Sequence, residues 1–298
     1  MTEDQFVSVI IPNYNYARYV GDAIESVMVQ TYSYFELIVV DNGSTDNSKQ
    51  VLEEFGNKYS PSLRVIFQDN RGQAGSRNRG IEESKGDLIA FLDADDVWMP
   101  NKLEEQVKLL VDPEVGLVYS SYWISDQNLK KIKIQKAEYR GDVLKYFATK
   151  AYTAVVVGGE SNAIIRKECF DKVGYFDTDL EESTGWDMYR RIASCFHLDY
   201  VDLPLMKYRI HGNNLHKANS VMYKQLELQA NKMFEDPMSS RIFHLRRKCY
   251  SLVHFGIAVA HYKSKNIIGF FRHIVLAITF DPLIIVKLFV FKKSGSST

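Results

Sequence analysis

Residues 89–100, IAFLDADDVWMP, run four apolar side chains straight into three carboxylates, Asp93, Asp95 and Asp96. Carboxylates this close repel one another, so crowding them at a strand end costs free energy unless a cation or a ring of donors offsets it. Capping a turn needs one acid, not three. A hard divalent cation such as Mg2+ or Mn2+ prefers oxygen ligands and is commonly held by one or two carboxylates together with phosphate oxygens. The cluster therefore points to a metal site shared with a diphosphate, and so to a nucleotide substrate.

Other polar groups fall at comparable places. Asn13, Tyr14 and Asn15 follow one apolar run, Asp41 and Asn42 a second, and Asp69 and Asn70 a third. Taken singly, Asp41 or Asp46 reads as a turn or helix cap. No phosphate loop of the Gly-x-x-x-x-Gly-Lys type occurs, and no Gly-x-Gly-x-x-Gly follows the first strand, so the metal and basic side chains must handle phosphate. Arg71, Arg77 and Arg79 are candidates, with a solvated helix face as the plainer alternative.

The elements that must position these groups alternate. FVSVIIP has the length and β-branching of a buried strand, and Tyr19, Val20, Ala23, Ile24, Val27 and Met28 then recur at helical spacing. FELIVVD predicts a second strand, followed by a helix that Ser44 or Asp46 caps and that turns Val51, Leu52 and Phe55 inward. LRVIFQ, GSRNRGIEESKG and DLIAFLD predict a strand, a helix and a fourth strand. Four such steps describe a doubly wound, mainly parallel sheet, whose ligands sit outside the carboxyl ends of the strands, where all the turns above gather.

With 298 residues, 46% of them hydrophobic, the chain can bury a full core and carry an appendage. Its 37 basic and 37 acidic residues balance, but residues 241–298 hold ten Lys or Arg against Asp281 alone. Cys169, Cys195 and Cys249 are too few and too scattered for a disulfide framework or a metal site, and MTEDQFVSVIIP lacks the basic start of a signal peptide. Both features predict a cytoplasmic protein. In the tail, residues 221–262 read as helices. NIIGFFRHIVLAITFDPLIIVKLFVFKK is broken by Arg272, His273 and Asp281-Pro282 before it reaches membrane-spanning length. Residues 263–293 fit either a helix lying on an anionic leaflet, at the inner face of the cell membrane, or a packed helical hairpin. No nucleic-acid reader motif accompanies the basic run, so no nucleic-acid partner is expected.

VSVIIPNYN, ELIVVDNGSTDNS, NRGQAGSRNRGI and GDLIAFLDADDVWMPNKLE, in that order, resemble the family 2 glycosyltransferases, whose nucleotide-sugar-binding domain has the GT-A fold. The resemblance spans residues 7–105, with weaker echoes to about 215. It implies a GT-A domain over 1–215, divided into a nucleotide-sugar half, 1–105, and an acceptor half, 106–215, before a helical extension over 216–298. It also implies a Mg2+- or Mn2+-dependent enzyme that moves a sugar from a nucleoside diphosphate donor, by preference a UDP-sugar, to a saccharide or lipid-linked acceptor with inversion, in surface polysaccharide or glycolipid synthesis. The competing readings are an inactive sugar-nucleotide-binding or scaffold protein and a sugar-phosphate nucleotidyltransferase. Carried over by position, Pro12, Tyr14, Asp41, Arg77 and Asp93 would line the nucleotide site, with Asp41 on the base. Asp93-Ala94-Asp95 would be the Asp-x-Asp motif, Asp95 holding the metal directly, with His211 of MKYRIHGNN approaching the metal or diphosphate and Arg209 steadying the loop.

Inverting transfer also needs a general base. Members of the family usually carry it in a Glu-Asp pair, which falls here on Thr184 and Gly185 of FDTDLEESTGWDMYRRIA, residues 176–193. Asp187 is the first replacement and Glu182, next to Glu181, the second. An ion pair of Asp187 with Arg190 or Arg191 is the structural alternative.

Overall fold

A computed structural model of the chain describes residues 5–150, 154–180, 184–212 and 219–284. It divides into two compact units, Met1–Asp142 with Val156–Asn214, and Val143–Val155 with Leu215–Thr298.

The first unit is built on one nine-stranded mixed sheet. In chain order its elements are β1 (Val7–Asn13), α1 (Val20–Met28), β2 (Phe35–Asp41), α2 (Ser48–Tyr59), β3 (Leu63–Phe67), α3 (Gly72–Glu83), β4 (Leu88–Phe91), β5 (Val97–Trp98), α4 (Lys102–Val107), β6 (Val115–Ser125) and β7 (Lys131–Gln135). After α5 (Leu144–Thr149), which belongs to the second unit, come β8 (Ile164–Arg166), α6 (Lys167–Val173), α7 (Thr184–Ala193) and β9 (His197–Arg209). The spatial order is β3-β2-β1-β4-β8-β6-β9-β5, with β7 on β6. The first four strands are parallel, as their alternation with helices predicts. The rest is mixed: β8 runs antiparallel between β4 and β6, while β9 runs parallel to β6. Val9, Ile11, Leu37 and Val39 pack with Val20, Ile24 and Leu52 from the helices into a core that excludes water, the dominant favourable contribution to folding.

Register then decides what meets at the rim. β1 pairs with β2 so that Asn13 lies beside Asp41, and Ile10 pairs with Phe91 of β4, so Asp93 emerges at the same end. β8 pairs Ile164 with Ala90, which sets residues 160–162 beside the start of the acid turn. β9 pairs Met206 with Trp98 and so carries Arg209 and His211 back to that turn.

The second unit contains α5, α8 (Asn219–Glu235), a 3-10 segment Pro237–Leu245, α9 (Arg246–Lys263) and α10 (Ile267–Phe280). Asn266 caps α10 by accepting from Gly269 N at 2.9 Å. α9 buries Leu252, Val253, Ile257 and Ala258, and α10 buries Ile274 and Ala277. His254 Nδ1 lies 3.2 Å from His273 Nδ1 and 3.4 Å from Glu227 Oε1. Burial, with His254, His261 and Arg272 nearby, pushes the His273 imidazole down to about 4. Burial likewise lowers His254, against the pull of Glu227. Outward on α10 stand Ile267, Ile268, Phe271 and Val275, all exposed. Among the described residues no helix is long and apolar enough to cross a membrane.

Candidate active site

The turn after β4 places its three acids at different depths. Asp96 is buried; its Oδ1 accepts from Arg209 N at 3.0 Å, and its Oδ2 has no hydrogen-bond partner among the described residues. Burial, then the charges of Asp95 and Asp93, hold its carboxyl well above the usual carboxylate range. Asp95 is raised for the same reasons, burial first and Asp93 second, partly offset by His211, whose Nε2 lies 2.9 Å from Asp95 Oδ2. Asp93 is more open than Asp95, at 27% side-chain exposure against 14%. Arg209 fastens the returning strand to this turn: Nε donates to Asp95 O at 2.7 Å, one Nη to Asp22 at 2.7 Å, and its guanidinium lies 4.7 Å over the Tyr19 ring. The His211 ring rests against Tyr19 and Tyr16 at centroid distances of 4.9 and 5.9 Å. Asp95 and Asp96, raised first by burial and then by neighbouring acids, thus share the turn with the His211 imidazole, and Arg77 balances Asp93 from behind. Of the donor types a hard divalent cation takes, Asp95 and His211 are in contact here, while Asp93 turns to Arg77 and closes no three-ligand cluster with them among the described residues.

Beside it, the loops after β1 and β2 are stitched together. Asp41 Oδ1 accepts from Asn13 Nδ2 at 2.7 Å and Ser44 Oγ at 2.6 Å, and its Oδ2 accepts from Ser44 N at 3.1 Å. Asn15 adopts φ +59°, a left-handed conformation that its short amide side chain tolerates by bonding locally. Its Oδ1 accepts from Thr45 N at 2.7 Å and Asp46 N at 3.2 Å. Ser44 is thus spent on these loops and does not cap α2, whose N-cap is Asn47, while Asp46 accepts from Ser48 N at 2.9 Å. Pro12 is half-buried at the end of β1, and Tyr14 is exposed in the loop that follows it.

Of the three candidate arginines, Arg79 pairs along its helix with Glu83 at 2.7 Å and Arg71 is exposed at the start of α3. Arg77 is fully buried behind the acids rather than open to a phosphate. Its guanidinium reaches Asp93 Oδ1 at 2.8 Å, Glu160 Oε1 at 3.0 Å and Thr184 Oγ1 at 3.2 Å. Burial opposes that charge, but Glu160 and Asp93 hold it above its ordinary value.

On the acceptor side, Asp187 takes the ion-pair arrangement. Its Oδ1 meets Arg190 at 3.0 Å and its Oδ2 meets Arg191 Nε at 2.8 Å, with 5% side-chain exposure. Both oxygens are committed to its own helix, which leaves it poorly placed to take a proton from a substrate. Glu181 and Glu182 lie outside the described residues. The carboxylate that does reach this region is Glu160, which sequence reasoning passed over. The available signals were the Gly158-Gly159 pair just before it and the empty position at Gly185.

Residues 8–174 match the family model described as Glycosyl transferase family 2. An uncharacterized glycosyltransferase of Nostoc sp. is 35% identical over 236 residues, 77% of this chain and 72% of that protein. The UDP-Glc:alpha-D-GlcNAc-diphosphoundecaprenol beta-1,3-glucosyltransferase of Escherichia coli is 36% identical over 126 residues, 42% of this chain and 49% of that one. Among solved structures, a mannosyltransferase from Pyrobaculum calidifontis in complex with GDP-Man and Mn2+ superposes with a TM-score of 0.66 over 99% of this chain and 81% of its own. At 20% identity that likeness is one of fold.

Proposed function

The chain belongs to glycosyl transferase family 2, and we propose that it moves a sugar from a UDP-sugar to a saccharide or lipid-linked acceptor with inversion, in the synthesis of a surface polysaccharide or glycolipid. The observation that carries this reading is that the acid turn, with His211 on Asp95, lies at the same sheet end as the hydrogen-bonded Asn13–Asp41 pair. Asp41 stands where the family resemblance puts the residue that meets the base, its oxygens held by Asn13 and Ser44. The Escherichia coli relative, named for a UDP-Glc donor and a diphosphoundecaprenol-linked acceptor, supports the donor and acceptor classes.

In this reading the nucleobase and ribose would sit over Pro12, Tyr14, Asp41 and Asp93, and Asp95, His211 and Asp93 would hold Mg2+ or Mn2+. When bound, the ion supplies the positive charge that a departing diphosphate needs. Arg77 stays behind Asp93 and fixes its orientation without touching the nucleotide. Arg209 holds the His211 segment against the acid turn, so the constellation is set before substrate arrives.

Membrane contact belongs to the same proposal. α10 presents Ile268, Phe271 and Val275 outward beside Lys263, Lys265 and Arg272, a pattern suited to the anionic inner face of a cell membrane, where a lipid-linked acceptor would be met.

The test is product analysis. With UDP-glucose and an α-D-GlcNAc-diphospho-lipid as probes, NMR of the product should show a β-linkage formed from the α-donor. An α-linkage would overturn inversion. A protein that binds nucleotide-sugar but transfers to no member of an acceptor panel would favour the sugar-nucleotide-binding alternative.

A further inference from the structure

Glu160 stands where the missing carboxylate should be. The chain reaches it through Gly158 at φ +84° and Gly159 at φ +61°, ψ −154°, the second in a region open essentially to glycine alone. A Cβ at Gly158 would press on the Asn162 side chain at 3.0 Å. The two glycines thereby turn the chain inward, and the turn is then bolted to the acid cluster. Asp93 N donates to Ser161 Oγ at 3.0 Å, Trp98 Nε1 to Ser161 O at 2.8 Å, and Ser120 Oγ to Asn162 Oδ1 at 2.7 Å.

The end of that turn meets the start of α7. A Cβ built on Gly185 would lie 2.7 Å from Glu160 Cδ, 2.8 Å from Oε1 and 3.1 Å from Oε2. The Glu160 carboxylate therefore fills the volume in which a side chain at position 185 would begin, the position on which the family's usual acid falls. Oε1 is held by Arg77 and by Thr184 Oγ1, each at 3.0 Å. Oε2 makes no hydrogen bond among the described residues, and the side chain keeps 14% exposure. One carboxylate oxygen is thus clamped and the other left to accept a proton. Arg77 spans Glu160 and Asp93, so this carboxylate stands one guanidinium away from the proposed metal and diphosphate site.

We infer that Glu160 is the general base of the transfer, a carboxylate delivered by the glycine-glycine turn into the space left by Gly185, in place of the Glu-Asp pair at the head of α7. The inference rests on the glycosyltransferase reading above. As the acceptor hydroxyl oxygen bonds to the sugar anomeric carbon, the bond from that carbon to the diphosphate oxygen breaks and its electron pair leaves with the nucleoside diphosphate. The hydroxyl proton passes to Glu160 Oε2. Asp187 then serves to pair Arg190 and Arg191 within α7.

The experiment uses the full chain with UDP-glucose, Mn2+ and the GlcNAc-diphospho-lipid acceptor. Glu160→Gln keeps an oxygen for Arg77 and Thr184 but cannot take the proton, so kcat should fall about 10²- to 10⁴-fold while donor KM and the Kd for UDP stay within about twofold. Turnover near the wild-type level would overturn the role. So would loss of donor affinity in step with turnover, which would make Glu160 only a counter-ion of Arg77. A second pair of variants guards against misfolding. Glu160→Gly combined with Gly185→Asp returns a carboxylate to the usual position and should recover at least about tenfold over Glu160→Gly alone. A folded double variant with no recovery would also overturn the inference. The two readings fail differently: an unmodified protein that transfers to nothing sinks the glycosyltransferase reading, whereas active wild type with equally active Glu160→Gln sinks only the base.

Discussion

Replacing Gly185 with alanine should destabilise the protein, against the usual sign. Within a helix, Gly→Ala ordinarily stabilises by up to about 1 kcal/mol. Here the new Cβ would sit 2.7 Å from Glu160 Cδ. Carbon pairs prefer about 3.5 to 4.0 Å, so the carboxylate must retreat by about 1 Å. Its bonds to Arg77 and Thr184 are both 3.0 Å long and would stretch beyond useful range. Hydrogen bonds to charged groups contribute about 1.5 to 3 kcal/mol each, and partial replacement by water at this site brings the net loss to about 2 kcal/mol. In a chain of this size that lowers the melting temperature by about 4 °C. The assay is a double-mutant cycle read by urea unfolding of the wild type, Gly185→Ala, Glu160→Ala and the double variant. Once Glu160 is truncated, the methyl group added at position 185 has nothing to displace, so the coupling should be about 2 kcal/mol. A Gly185→Ala protein as stable as the wild type, or strictly additive costs, would refute the placement of Glu160 against α7.

Three further outcomes are expected. In competition for the donor site, UDP should outcompete GDP, in line with the UDP-Glc donor for which the Escherichia coli relative is named; a clear preference for GDP would overturn the uracil assignment. His254 and His273 have folded values below the ordinary 6.5, so the unfolded chain binds protons more readily; the stability they contribute is present above about 6.5 and is lost as pH falls toward about 4 for His273. Melting temperature should therefore drop over that window and drop less in His273→Gln, and an identical pH slope in the variant would refute the assignment. The protein should sediment with anionic vesicles and release in high salt, since screening weakens the contribution of basic residues; binding that ignores lipid charge, or no binding, would favour a packed hairpin.

The nucleotide-binding half was readable because its signals are local. Apolar runs of strand length, helical stripes such as Val20, Ala23, Ile24 and Val27, and acids at strand ends sit within a few residues of one another, and parallel pairing gathers those ends automatically. The other half depends on contacts between distant residues. That β8 would insert antiparallel beside β4 is not written in its three residues, yet this pairing brings Glu160 to the Arg77 that holds Asp93. Arg77 looked like a phosphate ligand because its charge is visible in the sequence, whereas its complete burial between two carboxylates is not. Asp187 looked available for the converse reason, since spacing alone did not say that both neighbouring arginines would take it. The Gly158-Gly159 pair carries no chemistry of its own in the sequence. Only the approach of Glu160 to Gly185 gives it a chemical purpose.

The most direct test of metal-assisted transfer at the Asp93–Asp95 turn is acceptor-dependent UDP release from UDP-glucose, measured with Mn2+ and with EDTA, for the wild type and for Asp95→Asn. The expected result is release by the wild type that EDTA stops, and none above background by Asp95→Asn at either condition. Release that persists in EDTA, or an Asp95→Asn protein as active and as metal-responsive as the wild type, would contradict it.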